Sequence, residues 1–196
     1  MQDFTAGAAQ KGRQSGSGGG PASGGAPGER PADIVTHLTG EPGGMPDGHP
    51  TRISANEDDG VRRSLEMENS AAATLAGNGY QVKQNPTQDE VAQARLATGD
   101  SGRPGSKPDY LLEGRVFDCY SPTKPTKNAR GIWSEVQEKV EDNQTQRVVV
   151  NLEGWRGDMS ALQEQFDAWP IERLKEVKAI TPDGDVVQII PPDRND

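Results

Sequence analysis

Histidine and cysteine are scarce in this chain of 196 residues, and the scarcity excludes several kinds of chemistry. The only histidines are His37 and His49, both within the first 60 residues, and Cys119 is the only cysteine. An internal disulfide or a cysteine zinc cluster is therefore excluded, and we expect Cys119 to pack in a strand. Because paired-histidine ribonucleases, Ser-His-Asp hydrolases and Cys-His proteases all need histidine, the chemistry of a domain after residue 60 should depend on carboxylates, lysine and metal.

Apolar and aromatic residues are also few, at 31% and 5% of the chain. No apolar run reaches the roughly 20 residues of a membrane-spanning helix, and the N-terminus lacks the apolar centre of a signal peptide. We therefore expect no membrane-spanning segment, and if the protein crosses a membrane, a separate export machinery must carry it. Residues 1–60 hold 14 of the 24 glycines and 6 of the 15 prolines, which predicts a disordered tail or linker followed by one domain over residues 61–196.

The net charge of −9 argues against a protein that coats nucleic acid by bulk attraction. Positive charge is concentrated locally, since residues 103–130 contain six basic residues and three acidic ones. Lys124, Lys127 and Arg130 lie in or next to a proline-containing loop after residue 120. We interpret these three as candidate substrate contacts, and a solvated basic loop is the alternative.

The segment KPDYLLEGRVFDCY, residues 107–120, is the most informative in the chain. Two short alternating strands, Tyr110–Leu112 and Arg115–Phe117, joined at Glu113-Gly114, predict a hairpin in which Asp109 faces Asp118. Opposed strand residues have Cβ atoms roughly 4.5–5.5 Å apart, where like charges repel. A divalent cation between the two carboxylates would relieve the repulsion. Oxygen ligands favour Mg²⁺ or Mn²⁺, with Zn²⁺ as an alternative.

Two predicted helices add one acid and one base. A helix over Ser64–Asn78 places Glu68 on the face of Leu65 and Ala72, where an acid needs a partner or a metal unless it reaches solvent at the edge. A helix over Ile132–Val140 places Lys139 close to the inward face, although lysines often extend from such positions to water.

The other predicted elements complete an α+β (α/β) fold with a mixed central sheet flanked by helices. They are a strand over Tyr80–Gln84, a helix within Thr87–Ala97, a buried strand over Gln146–Leu152, a helix from Met159 to Trp169 capped by Asp158, and a terminal hairpin of Leu174–Ile180 and Val186–Ile190.

Pro108-Asp109 followed by an acid on the next strand resembles the PD-(D/E)xK nuclease superfamily. A longer set of segments is more specific, and it comprises EN at 68–69, LA at 75–76, NGYQV at 78–82, KPDY at 107–110, FDCYSP at 117–122, KV at 139–140 and QTQRVV at 144–149. Together these segments resemble the C-terminal tRNase domains of contact-dependent growth inhibition (CdiA-type) toxins and related bacterial polymorphic toxins. The resemblance extends from about Arg62 to Ile190.

This resemblance implies a PD-(D/E)xK nuclease-like fold and a secreted or delivered toxin. Such a toxin would cleave tRNA with a divalent metal in the cytoplasm of the target cell, and a cognate immunity protein would neutralise it. By position, Glu68, Asp109 and Asp118 would be catalytic metal-binding acids and Lys139 the catalytic lysine. The superfamily pattern expects a lysine two residues after the second acid, where this chain has Tyr120; Lys139 is therefore the replacement for it.

Several alternatives stay open at the level of sequence. Gln144 and Arg147 are candidate phosphate or supporting contacts, or ordinary packing and surface residues. The same acids would also suit a DNA-cleaving nuclease of the superfamily. A third possibility is a non-catalytic interaction module in which the two aspartates end strands and pair with Arg115 or Lys107.

Overall fold

The computed structural model describes residues 35–192. This part of the chain forms one seven-stranded sheet and four α-helices. The strands are β1 (Asp47–Gly48), β2 (Val82–Gln84), β3 (Tyr110–Leu112), β4 (Arg115–Tyr120), β5 (Arg147–Asn151), β6 (Glu176–Ile180) and β7 (Val186–Ile190). The helices are α1 (Asp59–Gly77), α2 (Gln88–Thr98), α3 (Ala129–Glu141) and α4 (Met159–Ala168).

The sheet follows chain order and is mixed, as expected. β1 is parallel to β2, β2–β3–β4 is antiparallel, β4–β5–β6 is parallel, and β7 returns antiparallel to β6. β4 belongs to both halves, because its residues 115–117 pair with β3 and its residues 118–120 pair with β5. β4 therefore joins the antiparallel half of the sheet to the parallel half, and its two neighbouring strands pair with different parts of it.

Helices cover both faces of the sheet. Leu75 of α1 belongs to a buried cluster with Phe117 and Val149, whereas Val136 of α3 belongs to another with Val148. Consecutive residues of β5 thus enter opposite cores, as the two-residue period of a strand requires. α4 packs in the α3 cluster, and α2 forms a small third cluster against β4. The prediction of a mixed sheet flanked by helices is confirmed.

The predicted hairpin has the expected register, with Leu112 opposite Arg115 and Tyr110 opposite Phe117. Its turn residues have positive φ angles, 49° at Glu113 and 74° at Gly114. Two consecutive positive φ angles characterise the type I′ turn, whose twist matches that of paired strands.

Residues 35–58 run across the domain, and we call this segment the N-terminal strap. Three of its threonines donate hydrogen bonds to glutamate carboxylates: Thr36 to Glu176, Thr39 to Glu113 and Thr51 to Glu68. The strap also contributes β1, and Asp58 caps α1, which begins at Asp59 rather than at the predicted Ser64.

The prediction of a disordered tail over residues 1–60 is therefore wrong for residues 35–60, and residues 1–34 lie outside the described residues. Composition misled because polar hydrogen bonds, rather than a periodic apolar face, attach the strap. As for membranes, none of the described helices has the length and apolarity needed to cross one.

Candidate active site

The candidate site lies where β3 and β4 separate. β3 begins at Tyr110, whereas β4 continues three residues beyond Phe117, so its last residues have no partner strand on that side. The Asp109 carboxylate fills this place, because its Oδ2 accepts a hydrogen bond from the Cys119 amide at 2.7 Å. The hairpin register continued by one step sets Asp109 across from Asp118, which is only 4% exposed.

Glu68 approaches the same place from α1. Its Oε1 accepts a hydrogen bond from the Thr51 hydroxyl of the strap, and its backbone carbonyl accepts one from the Tyr110 hydroxyl. Tyr110 is completely buried at the start of β3. This bond therefore fixes the middle of α1 against the strand that carries Asp109.

Lys139 approaches from α3, with its Nζ 4.0 Å from Asp118 Oδ2. The two groups lie at the long limit of an ion pair, and the lysine keeps a 24% exposed side chain. A second cation, Arg95 of α2, also acts electrostatically on Asp118. The Arg95 guanidinium is held from behind, since its Nη2 donates to Ser106 Oγ at 2.8 Å and to the Gln144 carbonyl at 3.1 Å.

The three carboxyl groups have raised pKa values, and their removal from water is the main cause in each case. For Asp109, burial and then repulsion by Asp118 and Glu68 raise the pKa to about 8. Lys139 opposes the increase at all three acids. These mutual effects, together with the contact between Lys139 and Asp118, support the convergence of the four predicted residues, whose catalytic roles stay a prediction. We call Glu68, Asp109, Asp118 and Lys139 the acid cluster; its negative charge exceeds its positive charge.

Comparison with known proteins identifies the family. The family described as contact-dependent growth inhibition CdiA C-terminal domain matches residues 106–186. A curated relative, "tRNA nuclease CdiA-2" of Burkholderia pseudomallei (strain 1026b), is 36% identical over 148 residues, or 76% of this chain. A solved "CdiA-CT/CdiI toxin and immunity complex from Burkholderia pseudomallei" contains a similar chain with a TM-score of 0.63 and 34% identity, covering 74% of this chain and 98% of that one. The chain belongs to the CdiA C-terminal domain family.

The two relatives differ in how much of their length this chain matches. This CdiA C-terminal domain spans 4% of the length of the curated Burkholderia relative. The solved chain, by contrast, is matched over nearly its whole length. The family and the mixed α+β architecture expected from the sequence are thus both confirmed.

The acid cluster has the chemistry of a site for a hard divalent cation. Its carboxylate oxygens are hard ligands, and their uncompensated charge would be neutralised by such an ion. Within residues 35–192, however, no three His, Cys, Asp or Glu side chains surround a common point closely enough to hold a metal. Mg²⁺ commonly uses only one or two carboxylates together with water and substrate phosphates, so the opposed Asp109 and Asp118 fit this ion. The three-carboxylate ligand set stays a prediction.

The basic loop lies near the start of α3. Lys124 is exposed, and Lys127 forms an ion pair with Glu135 and lies 5.4 Å from the centre of the Tyr120 ring. Arg130 lies between two tryptophan rings, 5.6 Å from Trp133 and 5.3 Å from Trp169. Arg130 and Lys139 are nine residues apart on one helix, or about 14 Å along its axis. Arg130 therefore lies well away from Lys139 along the helix, and the substrate role of the three cations stays a prediction.

The prediction that Arg147 contacts substrate is wrong. Its side chain has no exposed surface and forms ion pairs with Asp100 at 2.9 Å and with Glu176 at 2.6 Å. Lys175 and Lys178 bind the same two acids, at 2.9 Å and 3.2 Å respectively. We call these five residues the Arg147 network. Sequence alone did not reveal it because its two acids come from separate parts of the chain.

Gln144 is half-buried beside the site, and its carbonyl accepts a hydrogen bond from Arg95. Its side-chain amide donates to Asp142 at 3.4 Å. The structure supports an indirect role, in which Gln144 holds Arg95; direct contact of Gln144 with substrate stays a prediction.

Sequence reasoning missed three residues that shape the site: Thr51, Asn85 and Arg95. Arg95 had a usable signal, because it lies four residues after the buried Val91 and so shares its face of the helix. Asn85 has a positive φ of 50°, which asparagine tolerates, and its amide donates to the Asp109 carbonyl at 3.0 Å. Thr51 had no signal, since its surroundings resemble a linker.

Proposed function

We propose that this chain is a metal-dependent ribonuclease toxin that cleaves tRNA in the cytoplasm of a target bacterium. An export machinery would deliver it, and a cognate immunity protein would neutralise it in the producing cell. The observation that carries the proposal is the convergence of one buried acid, Asp118, two half-buried acids, Glu68 and Asp109, and one lysine at the point where β3 and β4 separate.

The residues of the acid cluster have distinct roles in this proposal. A divalent cation held by Asp109 and Asp118, with Glu68 beside them, would activate water and neutralise charge on the phosphate. Asp109 is already oriented by the Cys119 amide, and Glu68 by the Thr51 hydroxyl. Lys139 supplies a cation beside Asp118 that can orient the attacking water or stabilise negative charge in the transition state.

The relatives support the substrate and the partner. The curated relative is named a tRNA nuclease, and the solved relative is a complex of a toxin with an immunity protein. Because this chain resembles a small part of the curated protein, the proposal concerns the nuclease domain only. An immunity protein that covers the acid cluster would block substrate without altering the fold.

The direct test is cleavage by the purified chain. Unfractionated bacterial tRNA and plasmid DNA are each incubated with the protein in Mg²⁺, Mn²⁺ or Zn²⁺, and again with excess chelator. We expect discrete tRNA fragments that require metal and intact plasmid. Cleavage of plasmid alone would favour the DNA-cleaving alternative. Cleavage of tRNA that survives the chelator and metal-free buffer would overturn metal dependence.

A second test uses living cells. Expression of the chain in bacteria without an immunity protein should arrest growth, and co-expression of the cognate immunity protein should restore it. Asp109→Ala and Asp118→Ala should abolish toxicity while the proteins stay folded. Normal growth with the unaltered, soluble protein would instead favour the non-catalytic interaction module.

A further inference from the structure

A cleft of about 470 Å³ opens beside the acid cluster, and it is lined by His49, Pro50, Thr51, Arg52 and Asn85. We call it the strap cleft, because four of its five residues belong to the N-terminal strap. Its volume lies within the range of small-ligand sites. None of its residues was assigned to the catalytic machinery by the sequence.

The strap cleft and the acid cluster share their walls. Thr51 lines the cleft and donates its hydroxyl hydrogen bond to Glu68. Asn85 lines the cleft as well, and its backbone amide donates to the carbonyl of Asp109 at 3.0 Å. A molecule in the cleft would therefore lie next to two of the three acids.

The wall is held in place before any substrate arrives. The Thr51 amide donates to Asn69 Oδ1 at 2.8 Å, and the Asn69 amide group donates back to the Thr51 carbonyl at 3.0 Å. Asn85 Nδ2 donates to the His49 carbonyl at 2.7 Å and to the Thr51 hydroxyl at 2.9 Å. These bonds fix the backbone immediately before Arg52, so little backbone conformational entropy is lost when the Arg52 side chain binds.

The charges around the strap cleft indicate which class of ligand it would bind. Three acids at the site, in a chain of net charge −9, repel a polyanion, so a nucleic-acid substrate needs cations close to the reacting phosphate. Arg52 is exposed in the cleft, and no residue within 35–192 gives its side chain an ion pair or a hydrogen bond. Its guanidinium can therefore offer paired N–H donors to phosphate oxygens.

We propose that the strap cleft receives the sugar-phosphate backbone next to the scissile linkage, and that Arg52 binds a phosphate there. The proposal rests on the proposed nuclease function and adds a substrate-binding residue to it. Arg52 thus provides uniform binding energy to substrate and transition state, which affects KM and leaves the chemical step unchanged.

The test compares Arg52→Ala and Arg52→Lys with Arg156→Ala in the full chain. Arg156 is an exposed arginine in the loop after β5 and lies outside the cleft lining, so its variant loses the same charge. With unfractionated tRNA, we expect Arg52→Ala to raise KM by about 5–30-fold with kcat within about twofold, in line with a lost charged contact. Arg52→Lys should recover part of the affinity, and Arg156→Ala should match the wild type.

Salt dependence gives a second readout that a purely structural role would not change. Binding of tRNA is measured by fluorescence anisotropy in the inactive Asp118→Asn background, with and without Arg52→Ala. Loss of one phosphate contact should reduce the slope of log affinity against log salt by about 1. Unchanged melting temperatures establish that the variants are folded.

The outcomes separate this inference from the proposed function. If wild-type protein cleaves tRNA and Arg52→Ala behaves like Arg156→Ala in KM and salt slope, the inference is overturned and the nuclease function stands. A fall in kcat at unchanged KM also overturns it. If wild-type protein cleaves no tRNA, both the proposed function and this inference fail.

Discussion

Two groups of buried charge in this domain differ in how completely they are paired. The Arg147 network joins two acids to three cations at distances of 2.6–3.2 Å. The acid cluster opposes three acids to one lysine, with a closest ion-pair distance of 4.0 Å. Burial acts to raise the pKa of Asp100 in the network, but Arg147 and Lys175 bring it below its usual value. In the acid cluster, the pKa of Asp118 is raised.

The difference shows that burial alone does not mark a functional site. Charges that satisfy one another inside a fold position its parts, whereas acids kept without adequate counter-charge retain the capacity to bind a cation and a substrate. Four predictions test whether the two groups of charge differ in this way.

The largest effect should be on activity. Asp118→Asn preserves the size of the side chain but removes the charge that pairs with Lys139. We expect tRNA cleavage to fall by at least about 1,000-fold, or about 4 kcal/mol of barrier, with the fold retained. Glu138→Gln is the matched control, since Glu138 is an exposed acid one residue from Lys139. A twofold change in Asp118→Asn would contradict the assignment.

The next effect should be on stability. Arg147→Met leaves Asp100 and Glu176 buried without their main partner, so unfolding in urea should require about 3–5 kcal/mol less free energy. Activity per folded molecule should stay near that of the wild type. Asp100→Asn should cost much less in the Arg147→Met background than in the wild type, because the two residues share one interaction. Additive losses would show that the network is not a unit.

The two regions should also respond to pH with opposite signs. The pKa of Asp109 is about 8 in the folded protein and about 3.9 when unfolded. The folded state thus binds the extra proton between these values, and its stability falls as pH rises towards 8. In chelator, Asp109→Asn should remove this decline and gain up to about 5 kcal/mol over wild type at pH 8, because the folded pKa lies about four pH units above the unfolded pKa.

Asp100 provides the contrasting case for the same urea titrations. Its pKa is lowered on folding, so its contribution is present above its unfolded pKa and disappears as pH falls through the folded value. Asp100→Asn should therefore reduce the loss of stability in acid. If both variants changed the pH profile in the same direction, the comparison of the two regions would fail.

The smallest effect concerns the attachment of the strap to the Arg147 network. Thr36 is buried, and its hydroxyl and amide donate to the Glu176 carboxylate at 2.6 Å and 2.9 Å. Thr36→Val removes the hydroxyl bond and should lower the free energy of unfolding by about 1 kcal/mol. Thr36→Ser retains the donor and serves as the control. A loss of cleavage without a loss of stability would link Thr36 to the active site instead.

Local patterns account for much of what the sequence predicted correctly. The alternation around Glu113-Gly114 set the hairpin register and so placed Asp109 across from Asp118. Asp158 caps α4 as expected, because its carboxylate accepts a hydrogen bond from the Ser160 amide at 2.8 Å. Such features depend on residues close together in the chain, and short-range stereochemistry determines them.

The wrong predictions have a common cause: charged and polar side chains pair with partners that are far away in the sequence. An arginine that binds substrate and one that is buried in an ion pair look the same in the sequence. Only the ion pair of Arg147 with Asp100, which lies 47 residues earlier in the chain, shows that Arg147 is structural. The strap looked like a linker because its hydrogen bonds to Glu68, Glu113 and Glu176 join it to distant elements.

Sequence patterns were thus enough to predict the order and type of most elements, the opposition of the two aspartates and the family. Which charges are compensated depends on the folded chain, which also brings Thr51, Arg52 and Asn85 beside the acids. The physical reason is that helix and strand periodicity act over a few residues. The ionisation of a buried group, by contrast, depends on water exclusion and on every charge nearby, whatever its position in the chain.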